Sequence, residues 1–130
     1  MAPRTAGLNT RAQADAVAAA HGLQGLGESW LEISEYDAQS IATLVLHRDL
    51  AQGTAIMPQA DASALAASFL ELVPPPQRYF TNGDWADVMG EGGEAPESVG
   101  FDPLSDAAID AGIVCVGEEI TAILWVQDEA

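Results

Sequence analysis

The sequence predicts an α+β fold, in which an antiparallel helical hairpin and one or two short helices pack on a small antiparallel sheet. Two observations predict this class: the chain ends in a long run of β-branched and apolar residues, and its middle holds two segments with helix-start signals and helical spacing. A length of 130 residues allows one domain with a single modest core. We therefore expect one hydrophobic core, shared by the sheet and the helices.

The C-terminal run predicts a β-hairpin at the centre of the sheet. Its strands cover Ile113 to Val116 and Ile120 to Val126, and Gly117-Glu118 suits the first two corners of a two-residue turn. Neither strand alternates cleanly between apolar and polar residues. We therefore expect both faces of the hairpin to be covered.

Before the hairpin, two helices are predicted, joined by a short linker. Ser34 and Asp37 have capping-box spacing at the start of the first helix, which we expect to run to about Gln52 and to end at Gly53. The short linker predicts antiparallel packing against the second helix.

The second helix is predicted from about Pro58 or Asp61 to Val73, where three consecutive prolines stop it. Apolar side chains recur along it at helical spacing, and we interpret this stripe as its core-facing side. The stripe consists of Leu65, Phe69 and Leu72.

An alanine-rich helix is predicted near the N-terminus. Residues Ala12 to Ala20 have high helix propensity, and His21-Gly22 provides a C-terminal cation and a left-handed stop. Alanines bury little area, so this helix is weakly anchored. We expect residues 1–27 to form an extension and residues 28–130 to form a single α+β domain.

The charge balance excludes some partners. The chain has 20 acidic and 4 basic side chains, no lysine, and a formal net charge of −16. All four arginines lie at or before Arg78, and every charge after it is negative. Such a surface repels nucleic acid and anionic membranes and favours a basic partner. An acid-rich proteome is the plain alternative explanation, and no segment predicts export or a membrane span, so we expect a cytoplasmic protein.

No motif predicts a catalytic, cofactor or metal site, and we expect a protein that is not an enzyme. Cys115 is the single cysteine and lies within a predicted strand, where a buried thiol is expected. His21 and His47 lack the spacing of metal ligands. Paired carboxylates are the one remaining possibility, because three aspartates recur every four residues and could line a helix face: Asp102, Asp106 and Asp110.

The stretch from Arg78 to Met89 is the strongest candidate for a binding surface. Thr81 and Asp84 have capping-box spacing, which predicts a short helix, although Asn82-Gly83 could instead form a hairpin turn. Trp85 suits either a binding hot spot or the core. Residues 90–100 predict a mobile acidic loop. The candidate partner-binding residues are Asp84, Trp85, Asp87, Glu91, Glu94, Glu97 and Asp102.

Four segments resemble small acidic immunity proteins, which bacteria encode beside the secreted toxins of interbacterial competition. These segments are Arg78-Tyr-Phe-Thr-Asn-Gly-Asp-Trp85, Phe101-Asp-Pro-Leu-Ser-Asp106, Asp110-Ala-Gly-Ile-Val114 and Ile123-Leu-Trp-Val126. The resemblance runs from about Trp30 to the end of the chain. It implies a stoichiometric inhibitor, a monomer or weak dimer when free, which binds a cognate toxin and blocks its active site.

The charge agrees with this implication, because a toxin that acts on nucleic acid or nucleotides needs a cationic cleft. Three alternatives remain open at this stage. A nucleic-acid mimic of the phage type, inhibiting a host defence enzyme, shares the acidity. An enzyme using carboxylates and a metal needs at least three converging acids, and a structural subunit needs a large exposed apolar patch.

Overall fold

A five-stranded antiparallel sheet forms the centre of the protein. The computed structural model describes residues 2–3, 10–48, 55–75, 77–83, 85, 101–107, 109–118 and 120–128. The strands follow the spatial order β1-β5-β4-β3-β2, so β2 and the two-residue β1 form the edges. The strands are Ala2–Pro3 (β1), Leu31–Ile33 (β2), Gln77–Thr81 (β3), Ile109–Gly117 (β4) and Ile120–Asp128 (β5), and the helices are Thr10–Ala20 (α1), Glu35–His47 (α2) and Gln59–Leu70 (α3).

The predicted C-terminal hairpin is confirmed, and both strands are longer than expected. All nine residues of β4 are buried, which confirms that both faces of this strand are covered. Pairing places Gly112 opposite Trp125 and Val116 opposite Thr121. A side chain at Gly112 would overlap the carbonyl oxygen of Leu124, so this close approach of the two strands requires glycine.

Helices cover both faces of the sheet. Helix α2 packs on the face that carries Ala111, Ile113 and Cys115, and α1 packs on the opposite face, against Val114 and Val116. The predicted division after residue 27 therefore does not coincide with a packing boundary, because α1 contributes fully buried side chains to the core of the sheet. These are Ala14, Val17 and Ala18. Gly22 follows the end of α1 with φ of 75°, which is the left-handed conformation predicted for it.

The start of α2 is confirmed, and its predicted end is wrong. The Ser34 hydroxyl accepts a hydrogen bond from the backbone N–H of Asp37 at 3.0 Å, as the capping box predicts. The helix ends at His47 and not near Gln52, because Arg48 is extended and pairs with Ala55. Residues 49–54, including the predicted Gly53 stop, lie outside the described residues.

Helix α3 packs antiparallel to α2, but the predicted core stripe is wrong for both leucines. Leu65 and Leu72 are each 51% exposed, and only Phe69 of that stripe is partly buried. The buried face of α3 instead contains Ala62 and Ala66, and α3 packs on α2, where small buried side chains allow the helices to approach closely. The buried α2 and α3 residues of this contact include Ala38, Ala42, Ala62, Ala66 and Leu70.

Strand β3 ends at Thr81, the predicted cap of a short helix, and residues 84 and 86–89 of that predicted helix lie outside the described residues. Thr81 is the last residue of the strand, and its buried hydroxyl donates a hydrogen bond to the carbonyl of Gly112 at 2.7 Å. Gly83 pairs with Phe101, so Asn82-Gly83 is not a two-residue hairpin turn. The β-branched and aromatic run Tyr79-Phe-Thr81 favours a strand once β4 is available to pair with it. No helix within the described ranges is long and apolar enough to cross a membrane.

Candidate partner-binding surface

A buried carboxylate organises one end of the sheet. Asp110, the second residue of β4, is fully buried, and its two oxygens accept hydrogen bonds from five N–H and O–H groups. Burying a carboxylate is costly unless donors of this kind surround it. Asp110 is therefore the structural anchor of segment 101–107. The donors are the backbone N–H groups of Leu104 (3.1 Å) and Ser105 (3.0 Å), the Ser105 hydroxyl (2.7 Å), the Asn82 amide (3.1 Å) and the Trp125 indole (3.2 Å).

Asn82 joins this carboxylate to the end of β3. Its Nδ2 also donates to the backbone carbonyls of Asp102, at 2.8 Å, and Asp110, at 3.0 Å. Its Oδ1 accepts a hydrogen bond from the indole N–H of Trp85 at 2.7 Å. The Trp85 ring packs on Phe101, with 5.3 Å between the ring centroids. These contacts fix the residues on both sides of residues 86–100.

The residues on either side of segment 84–100 are therefore held next to each other. Gly83 pairs with Phe101 in an antiparallel bridge, and the backbone N–H of Asp102 donates to the carbonyl of Asn82 at 2.8 Å. Exposed carboxylates of Asp102 and Asp106 lie on the segment that returns from this point. We call this region, residues 82, 83 and 85 with residues 101–107, the acidic end of the sheet.

The seven predicted contact residues fall into three groups. Asp102 is exposed at the acidic end, as a contact residue must be. Trp85 is fully buried and its N–H is satisfied within the fold, so the structure shows the core alternative for this residue, with no indole surface for a partner. The other candidates lie outside the described residues: Asp84, Asp87, Glu91, Glu94 and Glu97.

The predicted aspartate row on a helix is wrong. Segment 101–107 is not helical, Asp110 lies in β4, and its carboxylate is buried while those of Asp102 and Asp106 are exposed. The spacing of the three aspartates gave no signal of this difference, because two of the five donors to Asp110, Asn82 and Trp125, are 28 and 15 positions away. Asn82, the central residue of the network, was predicted only as a turn residue.

The acidic surface is largely without neutralising cations. Within the described residues, the one ion pair joins Arg78 to Glu32, on neighbouring strands β3 and β2. Hydrogen bonds from Arg78 hold the pKa of Glu32 below its usual range, although burial acts in the opposite direction. The remaining exposed carboxylates have no ion-pair partner in this part of the chain. They are Glu28, Glu35, Asp61, Glu71, Asp102, Asp106 and Glu118.

The buried ionisable groups of the sheet favour their neutral forms. Burial, with a smaller effect of the Glu35 charge, raises the pKa of the Cys115 thiol to about 12. Burial likewise raises the pKa of Tyr79, the cross-strand neighbour of Cys115, to about 12. A nucleophilic thiol is accessible and ionised near neutral pH, and Cys115 is neither. It is a core residue.

Two surface clefts lie among the described residues. One cleft of about 630 Å³ lies beside Arg11 and Asp15, and a second of similar volume lies beside Asp106 and Gln127. In the ranges that the structure describes, no three His, Cys, Asp or Glu side chains are grouped so that they could hold a metal ion. What the described surface offers is charge.

Comparison with known proteins gives no relative: no protein-family model, curated protein or solved structure matches this chain.

Proposed function

We propose that this protein is a stoichiometric inhibitor of the immunity-protein type, which binds a cognate basic toxin enzyme and blocks its active site with an acidic surface. The observation that carries the proposal is the excess of exposed carboxylates over cations. The net charge is −16, and a single ion pair occurs among the described residues. Such a surface attracts a cationic cleft and can occupy the positions of the phosphates that the cleft binds.

The acidic end of the sheet is the proposed contact region. Asp102 and Asp106 are exposed there, and the chain between Gly83 and Phe101 is tethered there at both ends. That chain carries six of the seven predicted contact residues, and five of the six are acidic. The acidic end therefore presents the carboxylates of Asp102 and Asp106, on a segment that the buried Asp110 network holds in place.

Charge reversal tests this assignment. The variant carries Asp102→Lys and Asp106→Lys, and the control carries Glu28→Lys and Asp61→Lys, two exposed acids outside the acidic end. Both variants change the net charge by the same amount. The partner is the basic protein that the tagged protein captures from a lysate of its host. At low salt, we expect the charge reversals at the acidic end to lower the association rate with this partner about tenfold more than the control reversals. Equal slowing would mean that total charge, and not this region, determines binding.

The choice of control follows from the structure. Asp15, although distant from the acidic end in sequence, is unsuitable because its carboxylate accepts hydrogen bonds from the indole of Trp30 at 2.8 Å and the backbone N–H of Gly27 at 3.1 Å. Its reversal would disturb the fold. Glu28 and Asp61 are exposed and have no such contacts among the described residues.

A further inference from the structure

One aromatic side chain is exposed. The chain has eight aromatic residues, three Trp, two Tyr and three Phe, and all eight lie within the described ranges. Seven are buried or partly buried, whereas Tyr36 is 77% exposed. The protein thus leaves in solvent the kind of large amphipathic side chain that dominates protein interfaces. The sequence had suggested Trp85 for this role.

Acidic residues precede and follow Tyr36 in the chain. It lies in the first turn of α2 between Glu35, which is exposed, and Asp37, which is partly exposed. The Ser34 hydroxyl caps this turn, so the backbone that carries Tyr36 is fixed. A rigid backbone lowers the entropy cost of using an exposed side chain as a contact.

The end of the sheet next to Tyr36 carries further exposed apolar and acidic side chains. The last residue of β2, Ile33, pairs with Tyr79 near the start of β3. Helix α2 begins two residues after Ile33, at the same end of the sheet. The end of α3 returns to this place, where Val73 contacts Gly117. The exposed residues at this end are Glu35, Tyr36, Glu71, Leu72 and Glu118.

We propose that Tyr36, with its neighbours Glu35 and Asp37, is the anchor by which this protein binds an arginine-rich surface of its basic partner. The proposal rests on the proposed function and adds a second contact, at the end of the sheet opposite the acidic end. The described part of the acidic end has no exposed large apolar side chain, since Trp85 and Leu104 are buried. Charge alone steers association, whereas affinity depends on a few desolvated anchors.

We expect an arginine of the partner to contact Tyr36, because of the geometry of the Tyr36 ring and the negative charge of its neighbours. A guanidinium stacks on an aromatic face and pairs with carboxylates at the same time. The chain already contains this arrangement: the guanidinium carbons of Arg11 and Arg78 lie 5.3 and 5.7 Å from the ring centroid of Phe80, and Arg78 also pairs with Glu32. Tyr36 offers an exposed ring in the same helical turn as the carboxylates of Glu35 and Asp37.

Titration of the full-length protein with hexa-arginine amide, followed by NMR, tests the anchor. We expect the largest shifts at the Tyr36 ring and the first turn of α2. Tyr36→Ala should weaken peptide binding about threefold, while Tyr36→Phe keeps the ring and retains affinity. The matched control is Ile56→Ala, since Ile56 is 61% exposed and lies near the opposite end of the α2/α3 pair.

The outcomes separate the two proposals. Shifts confined to residues 101–107, with Tyr36→Ala and Ile56→Ala giving equal affinities, would overturn the anchor and leave the acidic end as the binding region. The absence of shifts at both ends, in a buffer of about 50 mM salt where screening is weak, would overturn both proposals.

Discussion

The side-chain nitrogen of Asn82 lies 3.1 Å from the carboxylate of Asp110, although the two residues are 28 positions apart in the chain. This contact joins the end of β3 to the beginning of β4. Through the other bonds of the two residues it also fixes Trp85 and segment 101–107. The acidic end is therefore built on a buried polar network, and its integrity can be tested by stability measurements without a partner.

Asp110→Asn is expected to destabilise the protein strongly. One carboxylate oxygen becomes an amide nitrogen that faces donors, so hydrogen bonds are lost and a donor is left buried without an acceptor. We expect a loss of about 2 to 4 kcal/mol in the free energy of unfolding, measured by urea denaturation. Asp106→Asn is the control, because Asp106 is exposed, and it should change stability by less than about 0.5 kcal/mol. Similar values for the two variants would contradict the network.

Replacing each of two buried threonines by valine should change the stability of the protein in opposite directions. The hydroxyl of Thr81 donates to Gly112, whereas Oγ1 of Thr121 has no hydrogen-bond partner among the described residues. Thr81→Val should cost about 1 kcal/mol of stability, and Thr121→Val should gain up to about 1 kcal/mol because it removes an unsatisfied buried group. Thermal denaturation of both variants measures the difference. A loss of stability in both would refute the assignment for Thr121.

The orientation of α3 can be tested with two leucines of the same helix. Leu70 is 6% exposed and Leu65 is 51% exposed. Leu70→Ala should lose about 2 to 4 kcal/mol of unfolding free energy through lost burial and a cavity, and Leu65→Ala should lose less than about 1 kcal/mol. If Leu65→Ala were the more costly substitution, the leucine stripe would be the core face after all.

Alkaline pH should destabilise the protein through Cys115 and Tyr79. Both have a folded-state pKa near 12, while the ordinary values are 9.0 for the thiol and 10.0 for the phenol. Between these values the unfolded chain loses protons that the folded chain retains, so stability falls as pH rises from 9 towards 12. Each group should contribute up to about 1.4 kcal/mol per pH unit in its own range.

A cysteine variant isolates one of these contributions. Cys115→Ala removes the thiol, so the decline of stability between pH 9 and 10, before the phenol takes part, should become shallower. Urea denaturation at several pH values from 8 to 11 measures the slopes. An unchanged slope would show that Cys115 ionises equally in the folded and unfolded chains, contrary to its burial.

The elements that the sequence predicted are those whose signals are local. The C-terminal hairpin follows from β-branched runs on either side of a glycine, and the start of α2 follows from the cap at Ser34. Helix α3 shows the limit of such reasoning. Leucines dominate a hydrophobic pattern, yet here Ala62 and Ala66 face α2 because close helix packing favours small side chains. Alanine carries little signal of which face is buried.

The candidate site was predictable only in its charge. The acids around position 102 were predicted as contact residues, and Asp102 is exposed. The roles of Trp85, Asp110 and Tyr36 depend on tertiary contacts that no local pattern reveals. Trp85 is buried because Asn82 satisfies its indole, and Asp110 is buried because five groups donate to it, including those of the distant Asn82 and Trp125. Tyr36 is exposed although its residue type favours partial burial.

Affinity capture with the tagged protein from a lysate of its own host, at low and at raised salt and with stoichiometry by mass spectrometry, tests whether the protein inhibits one cognate toxin. We expect one basic protein, held in equimolar amount at both salt concentrations, because desolvated contacts persist when screening removes long-range attraction. Several nucleic-acid enzymes that are released together as salt rises would contradict this expectation and indicate a nucleic-acid mimic instead.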